Sequence, residues 1–150
     1  MRRHRDERGS ALVELTWLGL LLLVPMLWIL VSVFEVQRGA FAVSAAARAA
    51  GRAYALAPSD AEGWQRAQAA ARQALDDQGL DGTPFTLGVA CTPYPHSCHN
   101  GTSVITVRIG SRVDLPLVPR ALGGGRVPSF ALDATHAVPV GQFQEIDGAP

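Results

Sequence analysis

The chain has 150 residues, no formal net charge, and arginine as its only basic residue apart from histidine. Its length leaves room for one small domain of about 100 residues beside an N-terminal segment. The zero net charge and a mean hydropathy of +0.15 exclude a basic nucleic-acid-binding protein and a highly charged disordered chain.

The N-terminal part contains a predicted membrane span. Residues 11–34 carry one charge, at Glu14, and as an α-helix they would extend about 36 Å. That length crosses a hydrocarbon core of about 30 Å with some tilt. Four arginines precede the run, whereas only Glu35 and Arg38 follow it closely, and this excess predicts a cytoplasmic N-terminus. We therefore expect a single-pass protein of the cytoplasmic membrane, in contact with lipid, whose later residues are extracytoplasmic.

Glu14 is the only carboxylate in the apolar run. A charge inside a membrane segment costs about 2.5 to 3.5 kcal/mol on insertion scales and persists mainly where function needs it. One alternative is a secretory signal cleaved near Ala40-Phe41-Ala42, although the run exceeds the usual apolar length of about 7 to 15 residues. Another is a plain single-pass anchor with Glu14 near the cytoplasmic headgroups.

A helix that continues the span is predicted over residues 35–57. This segment contains no proline and is rich in alanine, a composition with high helix propensity, and it is expected to end before Pro58. One face is predicted to comprise Phe41, Ala45, Ala49 and Leu56. That face would pack against the chain's own domain or against a second helix.

A second helix is predicted between Ser59 and Gly79. Ser59-Asp60-Ala61-Glu62 has the pattern of a capping box, and Gly79 supplies the stop. The residues at helical spacing are Trp64, Ala67, Ala71 and Leu75. This pattern predicts an amphipathic helix that covers a sheet. Asp76 and Asp77, at its C-terminal end, are interpreted as solvated rather than as a metal pair.

From residue 84 the hydrophobic period changes to two, which predicts a small antiparallel sheet of about three strands with one polar face. The apolar sides comprise Phe85, Leu87, Val89 and Cys91; then Ile105, Val107, Ile109, Val113 and Leu115; then Phe130, Leu132, Ala134, Val138 and Val140. Gly110 is interpreted as a bulge. A loop from Pro116 to Gly125 precedes the third strand, and the tail after Gln142 is expected to be weakly ordered. The strand order stays open.

Cys91 and Cys98 enclose the loop Thr-Pro-Tyr-Pro-His-Ser. Outside the membrane, an even number of cysteines at this spacing predicts a disulfide. His96 and His99 flank Cys98, so the alternatives are a four-ligand metal site and a pair of free thiols. Ligands this close in sequence rarely form a tetrahedral site, and we predict neither a metal nor a cofactor.

The sequence contains no nucleophile elbow, phosphate-binding P-loop or His-Glu-x-x-His motif. His136 and Asp133 are three positions apart on a predicted strand, so their side chains should point to opposite faces. We therefore predict that the protein is not an enzyme.

Two segments resemble a known family. Arg8-Gly9-Ser10-Ala11-Leu12-Val13-Glu14 resembles the processing site of type IV pilin-like proteins, which a prepilin peptidase cuts after the glycine. Ala46-Ala47-Arg48-Ala49-Ala50-Gly51-Arg52-Ala53 is similar to the alanine- and arginine-rich stretch of TadE-like minor pilins of the tight-adherence (Flp pilus) system. The resemblance covers residues 8 to about 57. Leu15 stands where these pilins commonly have an aromatic residue.

The resemblance implies a pilin-like α+β fold and a structural role. It implies a minor pilin or pseudopilin in the assembly of a tight-adherence pilus or a related secretion apparatus. The chain would be cut between Gly9 and Ser10, and Glu14 would pair with the Ser10 amine of a neighbouring subunit. The expected partners are other pilin or pseudopilin subunits, an inner-membrane assembly platform and a prepilin peptidase, and no nucleic acid.

From the predicted elements and the predicted cut after Gly9, we divide the chain into a cytoplasmic leader (1–9), a transmembrane helix (10–34), an extracytoplasmic helix (35–57) and a small α+β domain (58–150). The alternative function is a single-pass anchored extracytoplasmic binding protein that does not polymerise. The sequence leaves open whether Gly9 is cut, and whether the protein enters the filament or remains an accessory. The surface that the domain recognises is also open.

Overall fold

The computed structural model describes residues 8–115 and 128–141. Its five elements are α1 (Arg8–Ala55), α2 (Asp60–Asp76), β1 (Phe85–Thr92), β2 (Val104–Asp114) and β3 (Ser129–Pro139). The long apolar helix, the second helix and the three-stranded antiparallel sheet confirm the predicted α+β fold and are consistent with a pilin-like architecture. Most of the leader, the loop 116–127 and the tail after Gly141 lie outside the described residues, so the predictions made for them stay predictions.

Helix α1 is one continuous helix of 48 residues, about 72 Å long at 1.5 Å per residue. It runs through the predicted boundary at Phe34 and through Pro25 without a break, and it ends before Pro58 as predicted. Among the described residues it is the one helix long and apolar enough to cross a membrane. Every residue from Ala11 to Leu27 is exposed, so this half of α1 stands clear of the rest of the fold.

The C-terminal half of α1 packs over β2 and β3. Its buried apolar residues are Ala42, Val43, Ala46, Ala47, Ala50 and Tyr54. The face predicted from the sequence was wrong in part, because Phe41 is 71% and Leu56 77% exposed. Most of the inward side chains are alanine, which allows the helix to approach its neighbours closely, whereas Phe41 and Leu56 remain outside. At Gly39 an added Cβ would lie 2.5 Å from Val113 Cγ2 and 2.6 Å from Leu132 Cδ1.

Helix α2 packs against α1, and the prediction that it covers the sheet was wrong. Its buried residues are Gly63, Ala67, Ala71 and Leu75. Gly63 takes the place predicted for Trp64, which is 42% exposed. A Cβ on Gly63 would lie 3.2 Å from the Tyr54 ring, so the absence of a side chain there lets the two helices meet. The sheet face is already covered by α1, and α2 therefore adds a layer beyond it.

Both ends of α2 have recognisable caps. The Ser59 hydroxyl accepts a hydrogen bond from the amide of Glu62, as the capping box predicts, but the Glu62 carboxylate pairs with Arg66 instead of reaching back. At the other end the amide of Leu80 donates to the carbonyl of Leu75, and Gly79 adopts a φ of +74°. This arrangement is a Schellman motif, in which glycine accepts the left-handed backbone at low cost.

The two aspartates at the end of α2 differ in their surroundings. Asp77 is exposed, as the sequence interpretation requires. Asp76 is half-buried, and its Oδ1 atom is buried with no hydrogen-bond partner among the described residues. The interpretation of Asp76 as a solvated residue was therefore wrong in part, because one of its carboxylate oxygens is buried.

The sheet is an antiparallel meander in the order β1-β2-β3. The odd-numbered residues of β2 from Ile105 to Val113 are buried, while the opposite face is polar and largely exposed. The predicted bulge at Gly110 was wrong, because Gly110 pairs with Thr86 and Asp133 in unbroken registers. A Cβ at Gly110 would lie 2.8 Å from Thr86 Oγ1, so this glycine makes room for a neighbouring hydroxyl.

Candidate functional site

The predicted processing and assembly residues lie near the start of α1. Gly9 and Ser10 belong to the first turns of the helix, and Glu14 follows Ser10 by four residues. Glu14 is exposed and is surrounded along the helix by exposed apolar residues. Residues four apart on an α-helix lie on the same side. The carboxylate therefore projects from an exposed apolar stretch of the helix, one helical turn beyond position 10.

The hydroxyl of Thr16 illustrates how a polar group is accommodated in the same stretch. Thr16 Oγ1 donates to the carbonyl of Leu12 at 2.8 Å, so its hydrogen is used within the helix. A carboxylate is an acceptor without a proton to donate, and helix carbonyls cannot satisfy it. In a membrane, an ionised Glu14 would therefore be stabilised by a positively charged or hydrogen-donating group from outside its own helix.

The predicted disulfide is present between Cys91 and Cys98. Both cysteines are buried, whereas the six residues between them are all exposed. No group of three or more metal-ligating side chains occurs in residues 8–115 and 128–141. Because both sulfurs belong to the disulfide, neither cysteine is a free thiol, and neither supplies a thiolate to the metal site considered from the sequence.

A polar cluster anchors this loop to the helices. His99 Nδ1 lies 2.6 Å from Asp60 Oδ1, and the amide of Cys98 donates to Asp60 Oδ2. His99 Nε2 lies 3.0 Å from the backbone oxygen of Tyr54, and the two rings stack at 5.4 Å. We call Tyr54, Asp60 and His99 the clasp. It joins the end of α1, the start of α2 and the disulfide loop. This cluster lies at the C-terminal end of α1, whereas Glu14 lies near its N-terminal end.

The arrangement of the clasp differs from that of a catalytic Asp-His pair. An Asp-His pair in an enzyme leaves one imidazole nitrogen for the substrate or for a nucleophile. Here both ring nitrogens of His99 already lie within hydrogen-bond distance of oxygen atoms of the protein. From the sequence, His99 is a candidate metal ligand only, and its pairing with Asp60 is not predicted. The one available signal was Asp60, an acidic residue in the first turn of α2.

Electrostatics at the clasp act on the Tyr54 hydroxyl. Burial is the largest cause that raises the pKa of Tyr54, and the negative charge and hydrogen bond of Asp60 raise it further, to about 12. Each of these causes penalises the phenolate form. Tyr54 therefore remains a neutral hydrogen-bond donor over the physiological pH range.

His136 and Asp133 lie on opposite faces of β3, as predicted. Asp133 pairs with Arg108 at 3.1 Å on the exposed face of the sheet. His136 lies on the covered face, where a Cβ on Gly51 would come within 3.3 Å of its ring. The two side chains therefore do not form a joint site.

No family model, curated protein or solved structure matches this chain.

Proposed function

We propose that the protein is a structural minor pilin or pseudopilin that takes part in the assembly of a tight-adherence pilus or a related secretion apparatus. The observation that carries the proposal is the position of Glu14, the one carboxylate on the exposed apolar half of α1. The same helix continues without a break into the layer that covers the sheet. A continuous helix of this kind would couple the position of its membrane half to that of the domain outside the membrane.

The chemistry of processing supports a role for Glu14 in assembly. A cut between Gly9 and Ser10 would create a free amino group one helical turn from the carboxylate. Pairing of that amine with Glu14 of a neighbouring subunit offsets two charges that are both costly in a low-dielectric environment. An anion near a helix N-terminus is also favoured by the macrodipole. The pairing would favour one axial register between subunits.

The proposed location is the cytoplasmic membrane, with the N-terminus in the cytoplasm and the sheet domain outside. The arginine excess before the span supports this orientation, and the disulfide fits an oxidising compartment. The resemblance of residues 8 to about 57 to TadE-like minor pilins adds the partners: other pilin subunits, an inner-membrane platform and a prepilin peptidase. In this proposal the protein acts by assembly and not by catalysis.

The second candidate function is a membrane-anchored binding protein that does not polymerise. It is favoured by the loop between Cys91 and Cys98, whose six residues are exposed while its base is held by the disulfide and the clasp. Holding a loop in one conformation lowers the entropic cost of binding. In this candidate function Glu14 would have no assembly role.

The mature N-terminus distinguishes the two functions. The full chain is purified from its native membranes and its N-terminal residue is read by mass spectrometry. A chain that begins at Ser10 supports the pilin proposal, whereas an intact Met1 contradicts it. Gly9→Leu should block the cut, and the control Gly19→Leu, at an open position of the same helix, should leave it unchanged.

A further inference from the structure

The C-terminal half of α1 has an exposed side opposite the one that packs on the sheet. Arg48, Arg52 and Leu56 follow one another at intervals of four residues, which places them on one side of the helix. Leu56 comes just after α1, but its amide donates to the carbonyl of Arg52 and so extends the last turn. All three side chains are exposed. We call these three residues the arginine face.

The positive charges of the arginine face have no carboxylate partner in residues 8–115 and 128–141. Arg48 donates to the Ser44 hydroxyl at 2.8 Å, which is a neutral acceptor, and Arg52 makes no ion pair there. Arg66 and Arg108, which are also exposed, each pair with a carboxylate. Like charges four residues apart on a helix repel each other. An anionic group on this face would therefore relieve an unfavourable interaction.

A cavity connects the arginine face with the last described residues of the chain. It has a volume of about 450 Å³ and is lined by Arg52, Ala55 and Leu56 on one side and by residues 138–141 on the other. Gly141 is exposed, and nothing lies within 4 Å of the position that a Cβ would take there. The chain therefore leaves the described fold directly beside the arginine face, with open space around it.

The residues that follow Gly141 have the complementary chemistry. Residues 142–147, which we call the tail segment, contain two carboxylates and no basic residue. In an extended chain Phe143, Glu145 and Asp147 share one side. The two carboxylates would then be about 7 Å apart, close to the spacing of about 6 Å between the two arginines along α1. Four residues separate Gly141 from Glu145, a reach of about 13 Å.

We propose that the tail segment folds back and docks on the arginine face of its own chain. Phe143 packs in the cavity, and Glu145 and Asp147 pair with the two arginines. The sequence of the tail by itself predicts weak order, and the contacts with α1 supply what that local pattern lacks. This inference is independent of the proposed function, because it concerns neither the cut after Gly9 nor the assembly of subunits.

The chain's own tail fits this face better than other anionic occupants. Anionic lipid is too far away, because Arg48 lies fourteen residues beyond Phe34, the end of the predicted span, or about 21 Å along the helix. A separate acidic protein has to compete with a segment tethered beside the cavity. The effective concentration of such a tethered segment is on the order of millimolar.

Carbodiimide crosslinking tests the docking, because the chain contains no lysine. Arg52→Lys introduces the only side-chain amine into the full-length protein, which is purified in detergent. A water-soluble carbodiimide joins this amine to a carboxylate in contact with it as an amide, and the water lost converts the carbodiimide to a urea. We expect mass spectrometry of the digested monomer to locate the amide at Glu145 or Asp147. Arg48→Lys should give the same class of product.

Arg108→Lys is the matched control. Arg108 is exposed and lies 3.1 Å from Asp133, so the introduced amine should join Asp133 and not the tail segment. Equal yields of tail adducts from this control and from Arg52→Lys would indicate random collisions and overturn the inference. Absence of tail adducts from both variants of the arginine face, beside a normal Asp133 adduct, also overturns it. Adducts that join two chains would assign the face to a second copy and overturn docking within one chain.

Proteolysis provides a second measurement that needs no introduced amine. A glutamyl endopeptidase should cut after Glu145 several-fold more slowly in the wild type than in Arg48→Gln/Arg52→Gln, because docking shields the tail segment. Arg108→Gln should leave the rate at its wild-type value. Equal rates of cleavage in the wild type and the double variant would overturn the inference.

Discussion

His99 and Asp60 are 39 positions apart in the chain, yet His99 Nδ1 lies 2.6 Å from Asp60 Oδ1. The same carboxylate accepts a hydrogen bond from the backbone amide of Cys98. One side chain at the start of α2 therefore holds both the disulfide and the residue after it. The hairpin loop between β1 and β2 is fixed to the helices by this contact as well as by its own crosslink.

Replacement of Asp60 tests this contact through Tyr54. Asp60→Asn removes the negative charge that helps raise the pKa of Tyr54 to about 12, but the largest cause, burial, remains. We expect the pKa of Tyr54 to fall while staying above its ordinary value of 10.0. The measurement is an ultraviolet titration of tyrosinate in a Tyr94→Phe background, where Tyr54 is the only tyrosine. An unchanged titration would show that the carboxylate does not act on the hydroxyl.

The raised pKa of Tyr54 also predicts how stability depends on pH. Because the folded-state pKa, about 12, exceeds the ordinary value of 10.0, the folded chain holds this proton more tightly than the unfolded chain. The contribution is fully present below pH 10 and is lost as pH rises through about 12. Unfolding free energies of the wild type and of Tyr54→Phe, measured in detergent across this window, should differ in slope. Parallel pH profiles would contradict the prediction.

Loss of the disulfide should destabilise the domain without changing its fold. The bridge between Cys91 and Cys98 closes a short loop with a separation of seven residues, for which chain entropy predicts a contribution of about 2 kcal/mol. The double variant Cys91→Ala/Cys98→Ala should unfold at lower denaturant concentration. Mass spectrometry with and without a reductant establishes the pairing independently, since reduction adds two hydrogens to the wild type. An unchanged mass after reduction of the unfolded chain would exclude the bridge.

Gly39 marks the closest approach of α1 to the sheet. In Gly39→Ala the new methyl group would overlap the buried side chains of Val113 and Leu132, and overpacking of this kind costs about 1 to 3 kcal/mol. Thermal unfolding of the full chain should therefore shift to lower temperature. Gly19→Ala is the matched control, because nothing lies within 4 Å of that position and alanine favours a helix. Equal stability of the two variants would argue against the close contact.

Glu14→Ala separates membrane insertion from assembly. Removal of the charge makes insertion easier, so the variant should remain in the membrane fraction at wild-type level. We expect it to lose co-assembly with other subunits, because the proposed partner amine is left without its counter-charge. Co-purification from native membranes measures this loss, with Thr16→Ala on the opposite side of the helix as the control. Normal co-assembly of Glu14→Ala would overturn the assembly role.

Local patterns in the sequence accounted for the elements but not for their surroundings. The apolar run and the proline-free alanine segment predicted α1, and the change of period from about 3.6 to 2 predicted the three strands, because these signals depend only on neighbours along the chain. The buried side of α1 was harder to predict. Alanine and glycine dominate that segment, and their small side chains hardly distinguish a buried from an exposed face. The predicted packing of Phe41 was wrong for that reason, since its side chain is exposed.

The tertiary structure decided which surfaces meet. The capping box predicted where α2 begins, but only packing determined that Gly63, and not Trp64, touches Tyr54. The disulfide was predicted from two cysteines seven positions apart, because so short a separation needs no knowledge of the fold. The long helix α1, the charge at Glu14 and the disulfide could thus be predicted from the sequence alone. The clasp of Tyr54, Asp60 and His99 required the folded chain, since no local pattern relates residues that come together only when distant segments pack.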